Sequence, residues 1–150
     1  MKISGIDFIL VGIQLVLLGA YIFDIPSLKL QVPEEASLVN LGLAIAGFII
    51  IIISILQLNT NLSIFPTPKK DGELIMSGLF KYVRHPIYTG ILITAFFYSL
   101  YSNSGYRLII SLLLVILFYY KSNYEEKALL LKFPAYKSYR ASTGRFFPRF

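Results

Sequence analysis

The sequence contains no cysteine, and His85 is its only histidine. Without cysteine the chain forms no disulfide, holds no thiolate-bound metal and has no cysteine nucleophile. A single histidine also excludes a metal centre built from several imidazoles, so we predict no metal site. Any chemistry must therefore come from carboxylates, hydroxyls, basic groups and that one imidazole.

Charge is scarce as well. Only 15% of the 150 residues are charged and 56% are hydrophobic, whereas about 25% of the residues in a soluble domain are charged. The mean hydropathy of +0.68 points the same way. We predict an integral membrane protein, folded as one domain over residues 1–150 because the chain is too short for a second one.

Four apolar stretches predict transmembrane helices, at about residues 6–23, 38–58, 87–100 and 106–120. A helix needs about 20 apolar residues to cross the hydrocarbon core, and the last two stretches are shorter. The turn-forming residues 102–105 separate those two and predict a helical hairpin. We expect an all-α membrane bundle of about four transmembrane helices, followed by a C-terminal segment, 121–150.

The basic residues predict the orientation of this bundle. With four spans, both termini and the segment 59–86 lie on one side, which then carries every lysine and arginine except Lys29 and Arg107. Such an imbalance is typical of the cytoplasmic side. The basic residues of the tail have a second interpretation besides topology. They would form a site for lipid headgroups or anionic substrates. The tail also interleaves aromatic with basic residues, which beside a membrane favours an interfacial anchor, and we expect no nucleic-acid partner.

The first candidate for chemistry is the run Arg84-His85-Pro86-Ile87-Tyr88-Thr89-Gly90. Proline at the start of a helix presents the preceding residues at its N-terminus, where backbone amides and the helix dipole favour an anionic group. Tyr88 can donate a hydrogen bond, and Gly90 would let a ligand approach the backbone. The alternative is an interfacial anchor with a structural histidine.

The second candidate is the acid pair Glu125-Glu126, which follows the last predicted span. If the helix continues, Lys121 and Glu125 share one face and can form an ion pair. The functional alternative is that one acid points into the mouth of the bundle. There a carboxylate can bind ribose hydroxyls or an ammonium group of a ligand.

Taken together, these motifs resemble a known family. The run from Glu73 to Gly90, the later Glu125-Glu126 pair and the ending Phe133 to Tyr139 with Thr143, Arg145 and Pro148 resemble the isoprenylcysteine carboxyl methyltransferases. The phospholipid N-methyltransferases share the pattern more loosely. The resemblance covers about residues 59–148.

The resemblance implies a small membrane bundle whose cytoplasmic loop 59–86 and C-terminal segment close over S-adenosylmethionine. It also implies methyl transfer to a lipid-like or hydrophobic acceptor, one class of which is a carboxylate, reached from the bilayer. Carried over motif by motif, the cofactor-binding residues are Glu73, Leu74, Ile75, Phe80, His85, Pro86, Ile87, Tyr88 and Glu125. Lys121, Arg140 or Arg145 would orient the acceptor.

Two other functions fit the same sequence. Membrane sterol reductases have a similar bundle and use NADPH, whose 2′-phosphate Lys137 and Arg140 would meet. The other alternative is a non-catalytic membrane interaction protein. Binding of a nucleotide cofactor would distinguish both enzyme classes from the non-catalytic protein. The sequence leaves the acceptor and the oligomeric state open.

Overall fold

The computed structural model describes residues 3–26, 28–61, 63 and 65–149. Lys2, which contributes to the charge argument for orientation, and Phe150 at the end of the predicted C-terminal segment lie outside the described residues. In the part of the chain that is described, the regular structure is entirely helical. Its elements are α1 (Gly5–Ile22), α2 (Ser37–Leu58), α3 (Pro86–Tyr101), α4 (Gly105–Lys132) and α5 (Tyr136–Ser142), with short 3₁₀ turns at Glu34–Ala36, Asn59–Asn61 and Gly78–Lys81.

Among the described residues, three helical stretches are long and apolar enough to cross a membrane: Gly5–Ile22, Glu34–Leu58 and Gly105–Lys132. Helix α3 is also apolar, but its 16 residues span only about 24 Å. Many large apolar side chains face outward, including Val16, which is 69% exposed, and Leu38, which is 80% exposed. The all-α membrane bundle predicted from composition is therefore confirmed.

Helix α4 extends well beyond the predicted span 106–120 and ends at Lys132. Residues 121–132 carry mostly lysine, glutamate, alanine and leucine, which favour helix, and the next proline is Pro134. The first part of the predicted C-terminal segment is therefore a continuation of the last long helix. This extension carries Glu125 and Glu126 on a rigid element.

Helices α2 and α3 approach each other closely at two glycines. A Cβ on Gly47 would lie 2.7 Å from the backbone nitrogen of Thr94, and one on Gly90 would lie 2.7 Å from the carbonyl oxygen of Gly47. The space beside Gly90 is thus filled by α2. The expectation that Gly90 lets a ligand approach was wrong. The close packing of α2 against α3 leaves no room for a side chain at this position.

The connections of the bundle separate into two ends. At one end the α1–α2 connection meets the α3–α4 turn, where the Leu30 N–H donates to the Asn103 carbonyl (2.8 Å) and Ser104 Oγ donates to Asp24 Oδ1 (2.5 Å). At the other end the Arg84 N–H donates to the Gly144 carbonyl (2.8 Å). The connection 59–85 and the C-terminal segment therefore lie together, as the four-helix layout predicts.

Candidate active site

A cavity of about 340 Å³ opens at the end of the bundle that carries the connection 59–85. Its size falls within the range of about 300–1,000 Å³ found for small-ligand pockets. All four long helices and the connection contribute to its walls. The predicted site residues that line it are Glu73, Phe80, His85, Pro86, Ile87, Tyr88, Lys121 and Glu125.

Four predicted site residues are not among those that line the cavity: Leu74, Ile75, Arg140 and Arg145. Leu74 and Ile75 directly follow Glu73, so they border the cavity in the chain without contributing to its walls. The two arginines contact Glu126 instead.

The start of helix α3 forms one wall of the cavity. Pro86 is its first residue, and His85 precedes it with a non-helical backbone. The first amides of a helix have no partner within the helix and carry the positive end of its dipole. Because Ile87 and Tyr88 occupy this first turn and line the cavity, an anionic ligand group is favoured there.

Glu125 faces this helix start. The Tyr88 hydroxyl donates to Glu125 Oε2 (3.0 Å), and His85 Nδ1 lies 3.7 Å from the same oxygen. The Tyr88 ring is stacked between the rings of His85, at 5.4 Å between centroids, and Phe118, at 4.6 Å. This stack fixes the phenol, and so the carboxylate is held at the cavity wall with 26% of its side chain exposed.

Lys121 brings a positive charge to the same cavity. Its side chain is buried, its ammonium group donates to Gln14 Oε1, and its Nζ lies 5.5 Å from the centre of the Tyr88 ring. Gln14 comes from α1, which the motifs do not reach. The signal that could have found it is a polar residue in the middle of an apolar span, since such residues usually face the bundle interior.

Glu126 has surroundings quite unlike those of Glu125. Its side chain is 2% exposed, and four basic side chains surround its carboxylate. The contacts are with Arg84 Nη2 (2.9 Å), His85 Nε2 (3.2 Å), Arg140 Nε (3.1 Å) and Arg145 Nε (3.5 Å). We call Arg84, Arg140 and Arg145 the arginine cluster. Arg140 and Arg145, which the sequence analysis assigned to the acceptor, thus contact a buried carboxylate.

Helix α5 supports the cavity from behind. The Tyr139 hydroxyl donates to the carbonyl of Phe80 (2.5 Å), and Phe80 lines the cavity. Burial raises the pKa of Tyr139 to about 12, so the phenol stays protonated and keeps this hydrogen bond across the physiological range. The C-terminal segment therefore contributes to the site by holding Phe80.

A comparison with protein families shows which family the chain is related to. Residues 36–135 match the phospholipid methyltransferase family, which is two thirds of the chain. The chain belongs to the phospholipid methyltransferase family. No curated protein matches the sequence.

The family match refines the earlier resemblance. It confirms a membrane methyltransferase, and it names the phospholipid methyltransferases, to which the motifs pointed only loosely, rather than the isoprenylcysteine enzymes. The matched region holds the cavity residues of the connection, α3 and α4, including His85, Tyr88 and Glu125. Helix α1 and the last part of the C-terminal segment lie outside it.

Proposed function

We propose that the protein transfers a methyl group from S-adenosylmethionine to a lipid-like acceptor at the boundary between membrane and cytoplasm. The observation that carries this proposal is the cavity at the start of α3, where Glu125, Tyr88 and His85 converge within the region matched by a methyltransferase family. The concentration of lysine and arginine at this end supports a cytoplasmic location for it.

The side chains around the cavity suit this cofactor. The carboxylates of Glu73 and Glu125 accept hydrogen bonds, as ribose hydroxyls and an ammonium group require. The positive end of α3 suits the cofactor's carboxylate. Apolar walls from Phe80, Leu129 and Phe133 suit an adenine ring. Leu74 and Ile75 stay predicted contacts for that ring.

When bound, S-adenosylmethionine supplies a methyl group activated by its sulfonium centre. The protein's own contribution is then to orient the two reactants and to keep water away, which is how positioning lowers a barrier. Tyr88 and His85 hold the Glu125 carboxylate in place, while the apolar residues of the walls exclude water.

Lys121 supports a particular class of acceptor. Its ammonium group is buried in a wall of the cavity, where it attracts an anionic or polar oxygen of the acceptor. A carboxylate is such a group and is already a nucleophile at neutral pH. We therefore propose that Lys121 orients an oxygen-bearing acceptor such as a carboxylate.

Calorimetric titration of the detergent-solubilised protein with S-adenosylhomocysteine tests the proposal, with NADPH titrated in parallel. We expect micromolar binding of S-adenosylhomocysteine alone, abolished in Glu125→Ala and retained in Glu35→Ala. Glu35 is an exposed glutamate in the turn before α2, and so it is a matched control. Binding of NADPH alone, or of neither compound, would contradict the proposal.

A further inference from the structure

Helix α1 contains a fully buried carboxylate that the proposed chemistry does not use. Asp7 lies in the first turn of α1, is 0% exposed and lies outside the region matched by the methyltransferase family. A buried carboxylate is costly unless it is well hydrogen-bonded. The partners of Asp7 therefore indicate what it is for.

Half of the hydrogen bonds that the described residues make to Asp7 come from a distant part of the chain. Asp7 Oδ1 accepts from the Thr67 N–H (2.9 Å), and Asp7 Oδ2 accepts from Thr67 Oγ1 (2.9 Å). The others are local, because Oδ2 also accepts from the N–H (2.7 Å) and the hydroxyl (2.9 Å) of Ser4. Ser4 Oγ is in turn 2.8 Å from the Tyr124 hydroxyl on α4.

Thr67 belongs to a segment that covers the cavity, residues 65–73, which we call the cavity loop. Phe65, Pro66, Pro68, Gly72 and Glu73 of this loop line the cavity. The loop has no helix or strand of its own, so its position depends on contacts made by its ends and its middle.

Separate contacts hold the two halves of the cavity loop. In the second half, the Lys132 ammonium group donates to the Gly72 carbonyl (3.0 Å), and the Glu73 N–H donates to Asn61 Oδ1 (2.6 Å). In the first half, Asp7 holds Thr67, and the ring of Phe8 meets that of Phe65 edge to face, 5.1 Å between centroids. Both contacts of the first half are made by neighbouring residues of α1.

We propose that Asp7 is a positioning residue that ties the first half of the cavity loop to helix α1, and thereby shapes the cofactor site without touching the cofactor. The identity of the ligand rests on the proposed function, whereas the tether between Asp7 and Thr67 does not depend on it. A carboxylate suits this task because its hydrogen bonds are charge-assisted and its two oxygens accept several donors at once. Helix α1 thus contributes to the site as well as to the membrane bundle.

Two kinds of variant test the tether in the full-length protein. Asp7→Asn keeps the shape of the side chain but loses its charge and one acceptor. Thr67→Val removes the hydroxyl and Thr67→Ser restores it, so this pair changes one hydrogen bond and leaves α1 intact. Hydrogen exchange of a peptide covering residues 65–73, S-adenosylhomocysteine affinity and thermal unfolding are measured for each.

We expect Asp7→Asn to accelerate exchange in the cavity loop and to weaken S-adenosylhomocysteine binding about tenfold, because a charge-assisted bond to a buried amide is lost. Thr67→Val should show a smaller change of the same kind, and Thr67→Ser should behave like the wild type. A purely structural role would lower the unfolding temperature without singling out this loop.

The outcomes separate the tether from the proposed function. Faster loop exchange in Asp7→Asn or Thr67→Val, in a protein that binds no S-adenosylhomocysteine even as wild type, would support the tether and overturn the proposed function. Wild-type loop exchange in Thr67→Val and in a folded Asp7→Asn would overturn the tether, whatever the affinity. If Asp7→Asn fails to fold, the Thr67→Val and Thr67→Ser pair decides alone.

Discussion

Glu125 and Glu126 are neighbours in the sequence, yet they belong to two different regions of the molecule. Glu125 faces the cavity and contacts a phenol and an imidazole. Glu126 faces the arginine cluster and is almost completely buried. Consecutive residues of a helix point about 100° apart, which is enough to turn Glu125 toward the cavity and Glu126 toward the arginine cluster, with His85 in contact with both.

The difference shows how one acid pair can serve both the site and the fold. Within the described part of the chain, the carboxylate of Glu126 neutralises cations from the connection before α3 and from the C-terminal segment, and so joins the two. Glu125 retains a partly exposed side chain at the cavity. We therefore expect loss of Glu126 to damage folding, and loss of Glu125 to damage ligand binding.

The largest effect is expected for Glu126→Gln. Removing one partner of a buried ion pair costs about 3 to 5 kcal/mol, and here the buried Arg84 guanidinium would lose its carboxylate. The variant should unfold at a much lower temperature or be recovered in low yield, as measured by thermal unfolding in detergent. An unfolding temperature like that of the wild type would remove the distinction between the two acids.

Glu125→Gln should lower ligand affinity rather than stability. Its unfolding temperature should stay close to that of the wild type, because the side chain is partly exposed and the amide can still accept from Tyr88. Its affinity for S-adenosylhomocysteine should fall about 10- to 100-fold, as expected for a lost hydrogen bond to a charged group. Severe destabilisation with unchanged affinity would contradict the role of Glu125 in ligand binding and assign it to folding instead.

A smaller change is expected for Tyr88→Phe. The substitution removes the hydroxyl that donates to Glu125 but keeps the ring stacked on His85 and Phe118. A hydrogen bond to a carboxylate contributes about 1.5 to 3 kcal/mol, but Tyr88 acts on the ligand only by positioning Glu125, so we expect S-adenosylhomocysteine to bind about fivefold more weakly. Calorimetry measures this, and an unchanged affinity would mean that Tyr88 does not position the carboxylate.

The smallest effect is expected for Arg140→Ala. The Arg140 side chain is 45% exposed, and without it Glu126 keeps Arg84 and Arg145 as partners, so we expect a loss of about 1 kcal/mol or less. Neither unfolding temperature nor S-adenosylhomocysteine affinity should change much. Arg84→Ala is the matched comparison, because its side chain is only 7% exposed and its loss should destabilise the protein strongly.

The sequence predicted the helices and the chemical types at the cavity better than it predicted individual partners. Apolar length and the proline at the start of α3 are local signals, and so the bundle and the helix start at Pro86 could be predicted from the sequence. Helix periodicity alone does not fix which of the two adjacent glutamates α4 turns toward the cavity, and only the family resemblance selected Glu125. That rotation is set by tertiary contacts, which single-sequence patterns do not contain.

The contributions of α1 were missed for the same reason. Asp7 and Gln14 were visible only as polar interruptions of an apolar span, and their partners Thr67 and Lys121 lie far away in the sequence. The sequence analysis predicted that Lys121, Arg140 or Arg145 orients the acceptor, and this stays a prediction. The contact of the two arginines with Glu126 could not be predicted, since it depends on where the C-terminal segment folds back.

The most direct test of the two-region account is hydrogen exchange of the wild-type protein with and without S-adenosylhomocysteine. The account predicts that the ligand slows exchange in the cavity loop, residues 65–73, and at the start of α3, while residues 136–142 of α5 change little. Protection confined to α5 and the segment that follows it would place the ligand beside Glu126 and contradict the account.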